Sequence, residues 1–387
     1  METAVIFEAV RTPIGKRGRL LASVHAVDLL ATVFSELFLR VGISPACVDD
    51  VIVGCVDQVG EQSVNIARNA WLSAGLPESV PGATVDRQCG SSLQAIHFAA
   101  QGVMARSYDL VVAGGVESMS RVPMLSNMLS PGAPLTDNLS RRYRMDQGQW
   151  FDQALGAERV AEQWHLTRDE LDWVGWQSNR RAAQAQSTGR FSSEIARVML
   201  SGQNSVWAEK DEGIRADASL ERMGQLPPAF PGLNLITAGN ASQVSDGASA
   251  VLIGSRDVGE RLGLRPRAEF VSFAVVGVNP VTMLTGPIPA TAKALARAGL
   301  DADAIDLYEI NEAFAPVVLA WQRETQVSWD KINVNGGAIA LGHPLGATGA
   351  RLVTSMLYEL ERRAATYGLI AICEGGGMAN ATIIRRL

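Results

Sequence analysis

At 387 residues the chain is long enough for two or three domains and a large buried core. With 47% hydrophobic and 19% charged residues, its composition is that of a soluble globular enzyme. A net charge of −6 argues against general nucleic-acid binding, and any anionic ligand would need a local cluster of cations.

In chain order, AVIFEAV (4–10) reads as a buried strand, and acidic Glu2 and Glu8 set the opening segment apart from a signal peptide. DDVIVG (49–54) is a second strand. VDRQCGSSLQA (85–95) passes from loop into the helical run LQAIHFAAQGVMARS (93–107), and YDLVVAGG (108–115) is strand again. This alternation predicts an α/β fold with a mostly covered sheet. Residues 119–240 hold most of the tryptophans and charge-rich helical stretches such as TRDELDWVGWQSNRRAAQAQ, which predicts an inserted domain. The α/β pattern resumes at NASQVSDGASAVLIGS (240–255). The uncharged run 270–292 is broken by Pro280, Pro287 and Pro289, so no membrane span is expected. Cys47, Cys55, Cys89 and Cys373 form no C-x-x-C spacing and no disulfide framework, which predicts a reducing, cytoplasmic setting. The terminal IIRRL is no targeting signal.

An internal repeat predicts two related halves. CGSSLQAIHFAAQGVMARSYDLVVAGGVESM (89–119) aligns without a gap on TGARLVTSMLYELERRAATYGLIAICEGGGM (348–378). Gly90 pairs with Gly349, Leu93 with Leu352, Tyr108 with Tyr367 and Met119 with Met378. VDDVIVGC (48–55) likewise matches AIDLYEIN (304–311). Each half is then strand, helix, strand, and a duplication brings loops at equivalent ends together at one site.

Four segments fall in those loops. Cys89, in RQCGSS, sits at a helix start, where the helix dipole and backbone N–H groups favour the thiolate; Gly90 beside it would let a substrate carbonyl approach. A lone Cys-Gly is otherwise a buried structural thiol. His343, in NVNGGAIALGHPLGATGAR (333–351), is held by Gly342 and Pro344 and is the natural base for a thiol. His25, His97 and His165 read instead as structural. Cys373 ends a strand before three glycines whose N–H groups suit an oxyanion hole. Asn311, in INEAFAP (310–316), offers an amide that Glu312 would orient, or else caps a helix.

Together these motifs resemble the thiolase family, the acetyl-CoA C-acyltransferases, over essentially the full length. R-Q-C-G-S-S (87–92), A-G-N-A-S (238–242), D-G-A (246–248), N-E-A-F (311–314), G-H-P-x-G (342–346) and C-x-G-G-G (373–377) stand in family order and spacing. The resemblance implies duplicated α/β halves stacked as five layers (αβαβα) with an inserted loop domain. The expected division is 1–118 plus 241–262, then 119–240, then 263–387. Cys89 matches the acylated nucleophile, His343 its base, and Cys373 the acid/base at the acetyl-CoA methyl. Asn311 matches the residue that holds an oxyanion-hole water, with His343 completing that hole. The N–H groups of Cys89 and Gly375 match a second hole. Arg215, Phe230, Ala238, Ser242 and Phe314 match positions along coenzyme A and the acyl group. The resemblance implies CoA and acyl-CoA as substrates, no bound cofactor or metal, and a homo-oligomer, with 120–131 a contact loop in a tetramer.

Two departures bear on substrate. Where biosynthetic short-chain members read H-M-G-x-T-A-E-N, this chain reads DQALGAERV (152–160), with Asp152-Gln153 replacing the pair that packs on a small acyl group. The variable position of C-x-G-G-G, usually small or apolar, is Glu374. The sequence thus predicts thiolytic cleavage of 3-oxoacyl-CoA by a degradative thiolase of actinobacterial type. The competing readings are a biosynthetic acetoacetyl-CoA thiolase and a non-catalytic acyl-CoA- or lipid-binding relative. A ketoacyl synthase would usually lack the cysteine at 373.

Overall fold

The computed structural model describes residues 3–128, 134, 136–145, 151–200 and 206–387; part of the expected contact loop 120–131 therefore lies outside the described residues. The first stretch forms β1 (Ala4–Arg11), β2 (Gly15–Lys16), α1 (Ala26–Val41), β3 (Asp50–Gly54), α2 (Ile66–Ser73), β4 (Gly82–Val85), α3 (Ser91–Met104) and β5 (Leu110–Ser118). Between 119 and 240 lie α4 (Asp137–Tyr143), α5 (Gln153–Gln163), α6 (Arg168–Ser187), the ribbon β6 (Val198–Leu200) with β7 (Val206–Ala208), and α7 (Leu220–Gly224). β8 (Ser245–Ser255) and α8 (Arg256–Leu262) follow, then β9 (Ala268–Gly277), α9 (Pro287–Ala298), β10 (Leu307–Ile310) and α10 (Ala315–Thr325). The chain ends with α11 (Ala338–Leu341), α12 (Thr348–Arg363), β11 (Tyr367–Glu374) and β12 (Met378–Arg386).

The strands run in the order β10-β11-β12-β9-β1-β8-β5-β3-β4, with β2 beside β8. The two sides meet where β1 pairs β9, Val5 with Glu269 and Ile6 with Ala268. The period-two alternation of each strand then separates three cores. Val5, Phe7 and Val10 of β1, Val51 and Val53 of β3, and Val112 of β5 pack under α1 and α2. Ala4, Ile6 and Ala9, Ile52 and Val111 face the other way, onto α3 and α12. A register shift between Ile6 and Glu8 explains why the alternation of β1 changes phase there. Ile370, Ile372 and Ile384 close the far side of the α3/α12 layer. Leu369, Ala371, Ala379, Ala381 and Ile383 turn outward beneath α9 and α10. The expected five-layer stack is the result: helices, sheet, helices, sheet, helices.

The repeat is visible in this geometry. β3 and β5 run parallel with α3 between them in the chain, as β10 and β11 do with α12. α3 and α12 cross so closely that a Cβ at Gly349 would lie 2.3 Å from the Leu93 nitrogen, and Ala350 N–H donates to Ser92 Oγ at 2.9 Å. The 119–240 segment is tied back by Arg11, fully buried, whose guanidinium bonds Asp211 at 2.7 and 2.9 Å and Glu194 at 3.1 Å. Loss of Arg11 would leave buried carboxyls without their cation, a penalty of about 3–5 kcal/mol.

Candidate active site

Cys89 follows a sharp turn rather than a relaxed loop. Gln88 is in the left-handed region at φ 49, an unfavourable conformation for a non-glycine residue, and α3 begins three residues on. The turn is fastened by Gly90 N–H to Arg87 O (3.1 Å), Ser91 N–H to Gln88 O (3.0 Å) and Arg87 N–H to Ser91 Oγ (2.9 Å). The space beside Gly90, expected to admit substrate, is taken by protein: a Cβ there would fall 2.0 Å from Glu374 Oε1.

The thiol is not a resting thiolate. Burial, with Glu374 adding to it, pushes Cys89 up to about 12. The Gln153 side chain and the N–H groups of Gly375 and Cys89 hydrogen-bond the sulfur and pull the other way, without prevailing. Dehydration therefore outweighs the helix-start effect, and Cys89 needs a base as it reacts. Cys373, fully buried, is pushed well up by burial and next by Cys89, so it too rests as a thiol.

His343 is placed by its loop. Its Nδ1 lies 2.7 Å from Thr348 Oγ1, which itself donates to Pro344 O at 2.8 Å. With the hydroxyl proton spent on that carbonyl, Thr348 accepts from Nδ1–H, and we assign the tautomer accordingly. Nε2 then carries the lone pair, and Asn311 Nδ2 approaches it at 3.3 Å. Burial, and secondarily Arg351, lower the imidazole to about 3, so it is neutral and able to take a proton. Asn311 Oδ1 is buried with no hydrogen-bond partner among the described residues.

Two sequence readings change. Asn311 is not a helix cap, since α10 is preceded by Phe314. Glu312 does not orient it either; its carboxylate accepts from Ser178 Oγ (2.6 Å), Asn333 Nδ2 (3.0 Å) and Ile339 N–H (3.2 Å). It thus anchors α6 and α11 behind His343. Among the expected coenzyme A contacts, Arg215 Nη1 reaches Ala238 O at 3.2 Å. Ser242 N–H bonds Ala313 O at 2.9 Å, and Ala241 bridges Phe314, so 238–242 lies against the N-E-A-F loop. Phe230 is half exposed on the adjoining segment.

The comparisons agree with this architecture. The model of the thiolase N-terminal domain matches residues 4–257 and that of the C-terminal domain residues 264–386. The chain belongs to the thiolase family. It is 52% identical to a steroid 3-ketoacyl-CoA thiolase of Mycobacterium tuberculosis, over 100% of this chain and 95% of that protein. It is 41% identical to a 3-ketoacyl-CoA thiolase of Bacillus subtilis, over 99% of both. The crystal structure of the Bacillus anthracis acetyl-CoA acetyltransferase superposes with a TM-score of 0.92 at 38% identity, covering 100% of this chain and 99% of that one. This thiolase is accordingly an acyltransferase that works on CoA thioesters.

Sequence reasoning did not single out Thr348 behind His343, or Gln153 as a partner of the Cys89 sulfur. Asp152 serves as the N-cap of α5, accepting from Leu155 N–H at 2.9 Å, which leaves Gln153 to turn inward. A Pro-x-x-x-Thr spacing after Gly-His is the signal that could have found Thr348.

Proposed function

We propose that this thiolase degrades 3-oxoacyl-CoA through an acyl group carried on Cys89. His343 Nε2 takes the Cys89 proton as sulfur attacks the 3-oxo carbon. The N–H groups of Cys89 and Gly375 receive the tetrahedral oxyanion. The bond between C2 and C3 breaks, leaving the acyl group on sulfur and an acetyl-CoA enolate. The protonated His343 Nε2 and the Asn311 site stabilise the enolate oxygen, while Cys373 delivers its proton to C2. A second CoA thiol then takes the acyl group from Cys89.

The observation that carries this reading is the convergence of the Gly375 N–H on the Cys89 sulfur, with Cys373 close enough for Cys89 to raise it. Two thiols and a neutral imidazole in a dry site suit two acyl transfers and one carbon protonation. The deciding experiment is incubation with acetyl-CoA followed by intact-mass measurement. One acetyl group is expected on Cys89, and none in Cys89→Ser; normal turnover by that variant overturns the assignment.

The substrate we infer is larger than acetoacetyl-CoA, because neither Asp152 nor Gln153 supplies the apolar cap of short-chain members. The 52% relative named for steroid-derived substrates supports that direction. Arg215, Ala238, Ser242, Phe230 and Phe314 are read as coenzyme A and acyl contacts, and the chain as dividing near 118, 240 and 262. A homo-oligomer fits the sheet edge: β4 ends the strand order, and Val64 and Phe98 nearby in sequence are exposed. No described helix is long and apolar enough to cross a membrane, which is compatible with a cytoplasmic enzyme.

A further inference from the structure

Glu374 is the position at which this chain departs from its family's glycine-rich motif, and it is completely buried. In the β11–β12 hairpin Ile372 faces Asn380 and Glu374 faces Met378, so Asn380 and Glu374 are diagonal neighbours on one face. Cys373 points from the other face. The Glu374 face meets the start of α3: a Cβ at Gly90 would fall 2.0 Å from Glu374 Oε1 and 2.9 Å from Asn380 Oδ1. Asn380 Nδ2 donates to Gly90 O at 3.1 Å. That carbonyl only accepts, so the amide orientation is fixed and Oδ1 is left on the side of Glu374.

Both Glu374 oxygens and Asn380 Oδ1 are buried there without a hydrogen-bond partner among the described residues. Three acceptors crowded at one glycine is an unstable arrangement unless one of them carries a proton. The geometry points to Glu374 as a positioning residue held in its neutral form: its carboxylic O–H donates to Asn380 Oδ1, and the pair braces Gly90 and hence the Cys89 turn. The charged and titratable groups that interact with it are Arg87 and Asp86 before α3, with Cys89 and Cys373. Burial outweighs the attraction of Arg87 and pushes the carboxyl well up. Neutrality matters to the chemistry, because an anion at Glu374 would oppose ionisation of both thiols. This consequence rests on Cys89 being the nucleophile; the protonation state does not.

Two measurements test it. In an infrared difference spectrum at neutral pH, wild type minus Glu374→Gln should show the C=O band of a protonated carboxylic acid. The other buried carboxyls, Glu117, Glu309 and Glu312 among them, are common to both proteins and cancel. A carboxylate band instead, from an ion paired with Arg87, overturns the proposal. The second is Cys89 alkylation by iodoacetamide, mapped by peptide mass and followed against pH, with Cys89→Ser as the blank. Glu374→Gln keeps a donor and should stay within about threefold of wild type at neutral pH, whereas Glu374→Met should be slower by about tenfold. At alkaline pH, where wild-type Glu374 ionises, Glu374→Gln should overtake wild type. Equal rates for the Gln and Met variants reduce Glu374 to a space-filler and refute the brace. If Glu374→Met does not fold, the infrared band and the Gln pH profile decide alone. Turnover by Cys89→Ser would sink the nucleophile assignment while leaving the infrared result standing.

Discussion

Thr348→Val isolates the support behind His343. Valine keeps the shape of threonine and removes one hydroxyl, which at present accepts from His343 Nδ1–H at 2.7 Å and donates to Pro344 O at 2.8 Å. Both partners are buried, His343 only 4% exposed, so water does not replace the lost bonds readily. An orphaned buried polar group costs about 1–3 kcal/mol. Part of that falls on stability, and part is relieved by moving the proton from Nδ1 to Nε2, which abolishes the lone pair aimed at Asn311. The acylation step should then slow by about 10- to 100-fold, since about 1.4 kcal/mol is a factor of ten. Single-turnover acylation of Cys89 by acetyl-CoA measures it directly, with circular dichroism as the check on folding. Thr348→Ser retains the hydroxyl and should recover most of the rate. A folded Thr348→Val enzyme that acylates at the wild-type rate refutes the tautomer argument.

Cys373→Ser should still accept an acetyl group on Cys89 but exchange the acetyl-CoA methyl protons more slowly by about 100-fold, followed by NMR in deuterated buffer; unchanged exchange removes Cys373 from the acid/base role. His97, fully buried against Phe273 with both ring nitrogens unpartnered among the described residues, is lowered to about 3 by burial and then Arg87. Its folded pKa lies below the unfolded value, so its neutral form supports folding above about pH 6.5 and that support is lost as pH falls towards 3. Between neutral pH and about pH 4.5, His97→Phe should lose about 2–3 kcal/mol less than wild type in urea titrations. Parallel losses would show that His97 is not proton-linked to folding. Thiolysis of 3-oxodecanoyl-CoA should exceed that of acetoacetyl-CoA by about 10- to 60-fold in kcat/KM if two or three of its extra methylenes are held in the transition state, at about 0.8 kcal/mol each. A preference for acetoacetyl-CoA means that Gln153 closes the pocket.

The parts of the fold legible in the sequence were those with an apolar run or a repeat. The short apolar run AVIFEAV placed β1, and the gapless pairing of 89–119 with 348–378 placed α3 against α12 and their loops at one end. The unread parts are those decided through space. Nothing adjacent to Cys89 in the sequence reveals that a hairpin 285 residues downstream fills the face of Gly90 with a carboxyl. The helix-start argument for a thiolate was sound locally and was overridden by burial, a property of the whole five-layer stack. Glu312 was read against its neighbour Asn311, yet its partners come from 178, 333 and 339.

Taken together, the protonation states explain how so buried a site can hold its parts. Cys89 and Cys373 are both raised as thiols, Glu374 is raised as an acid, and His343 is lowered as a base. Each shift follows from dehydration disfavouring charge, so at rest these four groups are neutral. Charge then arises only as bonds are made and broken, first as an oxyanion at the 3-oxo carbon and later as an enolate. In the mechanism we propose, a low-polarity surround strengthens the few donors aimed at those oxygens, the N–H groups of Cys89 and Gly375 for one and Asn311 with His343 for the other. An ionised cysteine–histidine pair would already have spent that field on the ground state. Neutral groups leave it for the transition state, where differential stabilisation raises the rate.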